Sequence, residues 1–302
     1  MSAEFGVLPD GQKVEAVTIS NERLTATFLT FGARINALSF DGVSGLVPTY
    51  SLEAAAEENP FSGVIVGPVM NRLQAAQAPL GDDVLEFEPN EGPNFLHSGD
   101  LGLHRKVWDV ANVTDDSVEF AVELAPDGFP GHRSISVRYR LEDSDLIVEI
   151  QATSDALTLM NTGWHPYFTL SGRGNPGHTM SVDAPAYLPM DDGNIPTGEI
   201  ADVEGTSLDY REERVPTRDV DHCFVLTPRR EIAPAMRLSS GDLSLDVLTD
   251  APAIHVYTGN DCGIAMEPEI HPDAPNKPGF PSIELKPGDQ FHQTSIYRFS
   301  RG

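Results

Sequence analysis

Apolar and polar positions alternate with a period of two along most of the chain. Leu24, Ala26 and Phe28 are separated by threonines, and Ser20-Asn21-Glu22-Arg23 ahead of them reads as a hairpin turn. The most regular pair is Ile135, Val137 and Tyr139 followed by Leu146, Val148 and Ile150. The turn-forming Glu142-Asp143-Ser144-Asp145 between them predicts an antiparallel hairpin. Further strand-like runs cover 84–88, 107–113, 117–124, 156–162, 243–248, 253–257, 263–267 and 293–299. Helical periodicity is scarce: residues 50–58 are the best candidate, with a short turn near Tyr210. Many short strands, with turn signals about every ten residues, predict an all-β sandwich or barrel.

Neither a linker-like composition nor an internal repeat divides the 302 residues, which reads as a single domain, 1–302. The stretch from Pro268 to Pro287 is too apolar for a flexible linker and long enough for a functional loop. Against 46 acidic residues stand 20 basic ones, a net charge of -26. Such a surface repels nucleic acid and anionic membranes and disfavours phosphorylated substrates. Cys223 and Cys262 make no disulfide framework, the first residues do not read as a secretory signal, and the longest nearly apolar run, Val64 to Met70, is too short to span a bilayer. A cytoplasmic protein is expected.

Three clusters could carry chemistry. Asn161 to Phe168 sets His165 among aromatic residues, which suits either a sugar site or a satisfied core histidine. Asn94 to Gly99 holds His97 at a strand-to-turn junction, and Asn71-Arg72 follows the Gly67-Pro68 turn; the Arg fork suits sugar hydroxyls or a nearby carboxylate. In Glu267-Pro268-Glu269-Ile270-His271, a continued strand would point Glu267, Glu269 and His271 to one face, as a metal site would need; Pro268 and Pro272 argue against a regular strand there.

In order, these segments resemble the aldose 1-epimerase (galactose mutarotase) family across nearly the whole chain. The resemblance runs from Phe31-Gly32-Ala33-Arg34-Ile35 through Leu96-His97-Ser98-Gly99, His165-Pro166-Tyr167-Phe168 and Asp221-His222-Cys223-Phe224. It closes with Val256-Tyr257-Thr258-Gly259-Asn260, Glu267 and Leu285-Lys286-Pro287-Gly288. It implies a large antiparallel β-sandwich acting on a small-molecule aldose as monomer or homodimer, with no cofactor and no metal. Glu267 is then the catalytic base and His165 the general acid, while His97, Arg72, Asp221, Asn71 and His255 bind substrate or support the acid. Ring opening and reclosure exchange the anomers by general acid–base catalysis. A non-catalytic sugar-binding protein and a phosphosugar mutarotase are the alternatives. The chain departs from the family at His255 and Glu269, where Gln is usual, at Pro268 for Thr, at Pro68 for Arg and at Ser98 for Gly. His255 is thus expected to alter sugar preference. Carboxylates near His165 are expected to raise its pKa above the free value of about 6.5.

Overall fold

The hairpin around residues 142–145 lies within the largest sheet. Arg133–Glu142 pairs with Asp145–Ser154 along its length, setting Val137 opposite Ile150 and Tyr139 opposite Val148. Asp143 turns the chain at a φ of 51°, a conformation that Asp tolerates. Burial alternates strictly along Arg133–Glu142, so one face of this sheet is core and the other is wet. The computed structural model describes residues 2–227 and 231–302.

Eight antiparallel strands make this sheet. The last of them in the chain, Phe291–Arg301, lies between Asp145–Ser154 and Leu243–Thr249. Two smaller antiparallel sheets cover its apolar face. Five strands come from residues 2–44, and six comprise Tyr167–Phe168, Ile264–Glu269, Ala253–Tyr257, Asp221–Val225, Ala186–Tyr187 and Ala201–Asp202. One apolar cluster draws side chains from all three sheets. Phe28 stacks on Tyr139 at 4.2 Å, while Phe168 and Trp164 pack on Tyr297 at 5.3 and 4.8 Å. Each such ring, fully buried, stabilises the fold by roughly 1.5–3 kcal/mol. The Tyr hydroxyls are satisfied on carbonyls: Tyr139 donates to Ala33 and Tyr297 to Met266.

The architecture is the β-sandwich that the alternation and the resemblance predict, with local exceptions. In the run 156–162 only Thr158–Leu159 is strand, because the Asn161 amide exchanges two hydrogen bonds with the backbone of Ile270. The predicted helix at 50–58 is present as a short helical stretch over 52–58, π-helical at Ala54–Glu58. Arg34 holds its end: the buried guanidinium donates to the carbonyls of Ala55, Asn59, Pro60 and Ser62, tying the helix and the turn after it to the five-stranded sheet. Residues 205–212 are turns and bends around the buried ring of Tyr210. Among the described residues no helix is long and apolar enough to cross a membrane.

Candidate active site

Three neighbouring strands of the six-stranded sheet carry the acidic centre. His255 faces Glu267 across one ladder and Cys223 across the other, and Asp221 lies opposite Tyr257. Cross-strand partners and residues two apart share a face, so Asp221, His255, Glu267 and Glu269 all point the same way. Pro268 does not end its strand. It pairs with Ile254, and the strand's other edge has stopped pairing with Tyr167–Phe168 at Ala265, so no ladder on that side requires the missing N–H. The common face stops at Glu269; the His271 ring turns to Phe280.

His165 sits between Gly163–Trp164, which pairs with Ile65–Val66, and Tyr167–Phe168, which pairs with the Glu267 strand. Its N–H donates to the Val64 carbonyl and its own carbonyl accepts from Gly63. Its Nε2 stands 3.4 Å from Glu267 Oε1. His97 and Asn71 brace each other: the Asn71 N–H donates to His97 Nδ1, and the His97 N–H donates to the Asn71 carbonyl, both at 3.0 Å. Nδ1 is thus an acceptor, which places the His97 proton on Nε2. Asn71, His97 and Ser98 hold φ of 62°, 50° and 62°, a strained cluster of the kind found at functional sites. Ser98, where Gly is usual, is held there by its hydroxyl, which bonds both the N–H and the carbonyl of Val69. Arg72 donates from Nε and Nη2 to Glu91, leaving Nη1 without a hydrogen bond among the described residues.

These groups meet in one open cavity of about 430 Å³, lined by Asn71, Arg72, His97, His165, Asp221, His255 and Glu267, with Phe61, Tyr167 and Tyr257 as aromatic walls. That size and mixed lining suit a small polar ligand with apolar faces. Burial pushes the Glu267 carboxyl up to about 8, with Glu269 and Asp221 adding to the effect and His255 and Arg72 opposing it. Burial likewise drives His165 down to about 3, helped by the charge of His255. The expected rise at His165 is therefore reversed: desolvation of the ring outweighs the attraction of its acidic neighbours. His97 is held well below the usual range by burial, as a neutral ring. Asp221 goes the other way: burial would raise it, yet the hydrogen bond from His255 brings it to about 2.

A family model described as aldose 1-epimerase matches residues 15–298. The chain belongs to the aldose 1-epimerase family. Galactose mutarotase from Bos taurus is 32% identical, with 99% of this chain and 98% of the relative aligned. Aldose 1-epimerase from Escherichia coli K12 is 28% identical over 96% of each. The crystal structure of an aldose epimerase homologue from C. elegans superposes with a TM-score of 0.89 at 29% identity, covering 95% of this chain and 98% of that one.

Asn71, Arg72, His97, His165, Asp221, His255 and Glu267, the residues to which the resemblance gave roles, all line this cavity. Two readings change. His255 lines the wall, but both ring nitrogens face protein groups, so it has no free donor for a sugar. Glu269, expected on one face with Glu267 and His271 as a metal site would need, is fully buried outside the cavity lining. Phe61, Tyr167, Asn194, Tyr257 and Asn260 were missed as lining residues. Tyr167, Tyr257 and Asn260 lie inside motifs already quoted, so their positions were readable. Phe61 and Asn194 sit in irregular segments with no pattern to mark them.

Proposed function

We propose that this member of the family catalyses mutarotation of a free aldose, with Glu267 as base and His165 as acid. The observation that carries the reading is the His165 Nε2 facing the Glu267 carboxyl at 3.4 Å on the cavity wall. In the opening step, the Glu267 carboxylate takes the proton of the anomeric hydroxyl. The freed electron pair forms the aldehyde carbonyl, the bond from the anomeric carbon to the ring oxygen breaks, and the ring oxygen takes the proton of His165 Nε2. The open chain, a neutral carboxyl and a neutral imidazole result, and the pair still holds one proton. Rotation about the bond next to the aldehyde carbon turns its other face, and closure with the roles reversed gives the other anomer. The protonation pattern reached after opening is the one that burial favours in the empty site. Sugar hydroxyls that donate to the carboxylate favour the ionised pattern needed at the start.

His97 Nε2, Arg72 Nη1, Asn71 and Asp221 bind hydroxyls in this reading, and Phe61 and the two tyrosines cover C–H faces. A phosphosugar fits poorly, because Arg72 is already committed to Glu91 and carboxylates dominate the site. A protein that merely binds sugar has no need of a buried acid–base pair. We read the chain as one cytoplasmic unit, since a single core cluster joins the three large sheets and both cysteines are unpaired. Every group named comes from one copy of the chain. Polarimetry on freshly dissolved α-anomers of free hexoses and their 6-phosphates tests this. The free sugars should equilibrate faster than the spontaneous rate; no acceleration with any free aldose would overturn it.

A further inference from the structure

Between the active-site carboxyls and the core, His255 stands between two carboxylates. Its Nε2 is 2.7 Å from Asp221 Oδ1, and its Nδ1 is 3.5 Å from Glu269 Oε1 and 3.2 Å from the Asn71 amide nitrogen. His255 is 3% exposed and Glu269 0%. Neither Glu269 oxygen has a hydrogen-bond partner among the described residues; burial pushes its carboxyl up, and the neighbouring His255 opposes that rise. His255 is also the cross-strand partner of Glu267, on the same face and about 5 Å away at ordinary strand spacing. The Gln residues usual at both positions would form a neutral pair; this chain has an imidazole and a carboxyl.

We propose that His255 and Glu269 form a buried ion pair that fixes the orientation of Asp221 and, through the positive charge of His255, controls how readily Glu267 gives and takes its proton. They are positioning residues: they act through Asp221 and Glu267 and do not touch substrate. The proposal rests on Glu267 being the base. Facing His255 are Asp221 and Cys223 from one neighbouring strand, Glu267 and Glu269 from the other, and Asn71 from the segment leading to Arg72. His97, His165 and His222 lie within reach of its charge. Burial opposes a charge on His255, but its hydrogen bond with Asp221, with Cys223 and the Glu269 carboxyl beside it, holds it well above the ordinary range as imidazolium. On Glu267 the influences oppose one another. His255 and Arg72 favour the carboxylate, while Glu269 and Asp221 disfavour it.

His255→Gln removes the cation and keeps a polar side chain of similar size. The basic limb of the turnover profile should move alkaline by about one pH unit, as expected for loss of an opposite charge at this range. The Glu267 carboxyl band in infrared titrations without sugar, assigned by its loss in Glu267→Gln, should move equally. Glu269→Gln removes a like charge and should move both readouts in the acid direction. A folded His255→Gln protein with limb and band unmoved overturns the proposal. If that variant does not fold, Glu269→Gln decides, and an unmoved or alkaline-shifted band overturns it. A wild type whose carboxyl band responds to His255→Gln but which accelerates no mutarotation sinks the catalytic reading alone, because the band reports the coupling without turnover.

Discussion

Replacing Glu267 by Gln tests the base with little disturbance to packing. The side chain is 2% exposed and faces the neutral ring of His165, so an amide of the same shape can occupy its place. What disappears is the proton acceptor. General acid–base catalysis by one placed group contributes about 10²–10⁴-fold, or roughly 3–5 kcal/mol of barrier. The structure favours the upper part of that range, because no other carboxyl substitutes well. Glu269 lies outside the cavity, and Asp221, held near 2 against burial by His255, is a far weaker base than a group near 8. Turnover should fall roughly a thousandfold or more. Polarimetry with the spontaneous rate subtracted measures the loss, and sugar titrations by calorimetry should show binding largely retained. Turnover within tenfold of wild type would refute the reasoning and make Asp221 the next candidate.

Catalysis needs one proton on the pair, which is over-protonated below about 3 and stripped above about 8. The pH profile of turnover should therefore stay high through neutrality and fall above about 8; a fall centred on the free-His value of about 6.5 would refute the reversed assignment. Stability has a related signature. Glu267 is raised, so its contribution is full below its unfolded value of about 4.3 and is lost as pH rises toward 8, while His165 is neutral in both states above about 6.5. Between pH 6.5 and 8, wild type should lose stability relative to Glu267→Gln by on the order of 1 kcal/mol per unit, read from urea midpoints. Arg34→Met leaves four carbonyls without their donor and frees the segment carrying Phe61; it should cost about 3–5 kcal/mol in urea melts and raise KM for sugar more than it lowers kcat.

Much of the fold was legible because its signal is local. Period-two alternation marks 117–124 to the residue, a short β-branched and aromatic run marks 253–257, and two turn-forming residues suffice to place the hairpin at 142–145. The exceptions come from contacts between distant segments. Arg34 reaches across at least 21 positions to carbonyls at the end of the 52–58 helix and beyond it, and Asn161 reaches 109 positions to Ile270. Neither contact leaves a trace in the pattern of its own segment.

The active site divides in the same way. The family motifs are what name Glu267, His165, His97, Arg72 and Asp221; residue type alone left core and surface roles open for them. Their charge states could not be read, because these depend on what surrounds each group in the folded protein. A histidine beside carboxylates reads as one with a raised pKa. Here that description fits His255, which has Asp221 at 2.7 Å, while His165, with Glu267 at 3.4 Å, is governed by burial. The difference follows from what each carboxyl can offer. Asp221 is ionised and can stabilise an imidazolium, whereas Glu267, pushed up to about 8, is neutral at pH 7 and lends His165 no charge. One charged pair, Asp221 with His255, is thus set in the cavity wall, while the proposed catalytic pair, His165 and Glu267, is uncharged at pH 7 and in the proposed reaction is ionised by hydrogen bonds from the sugar.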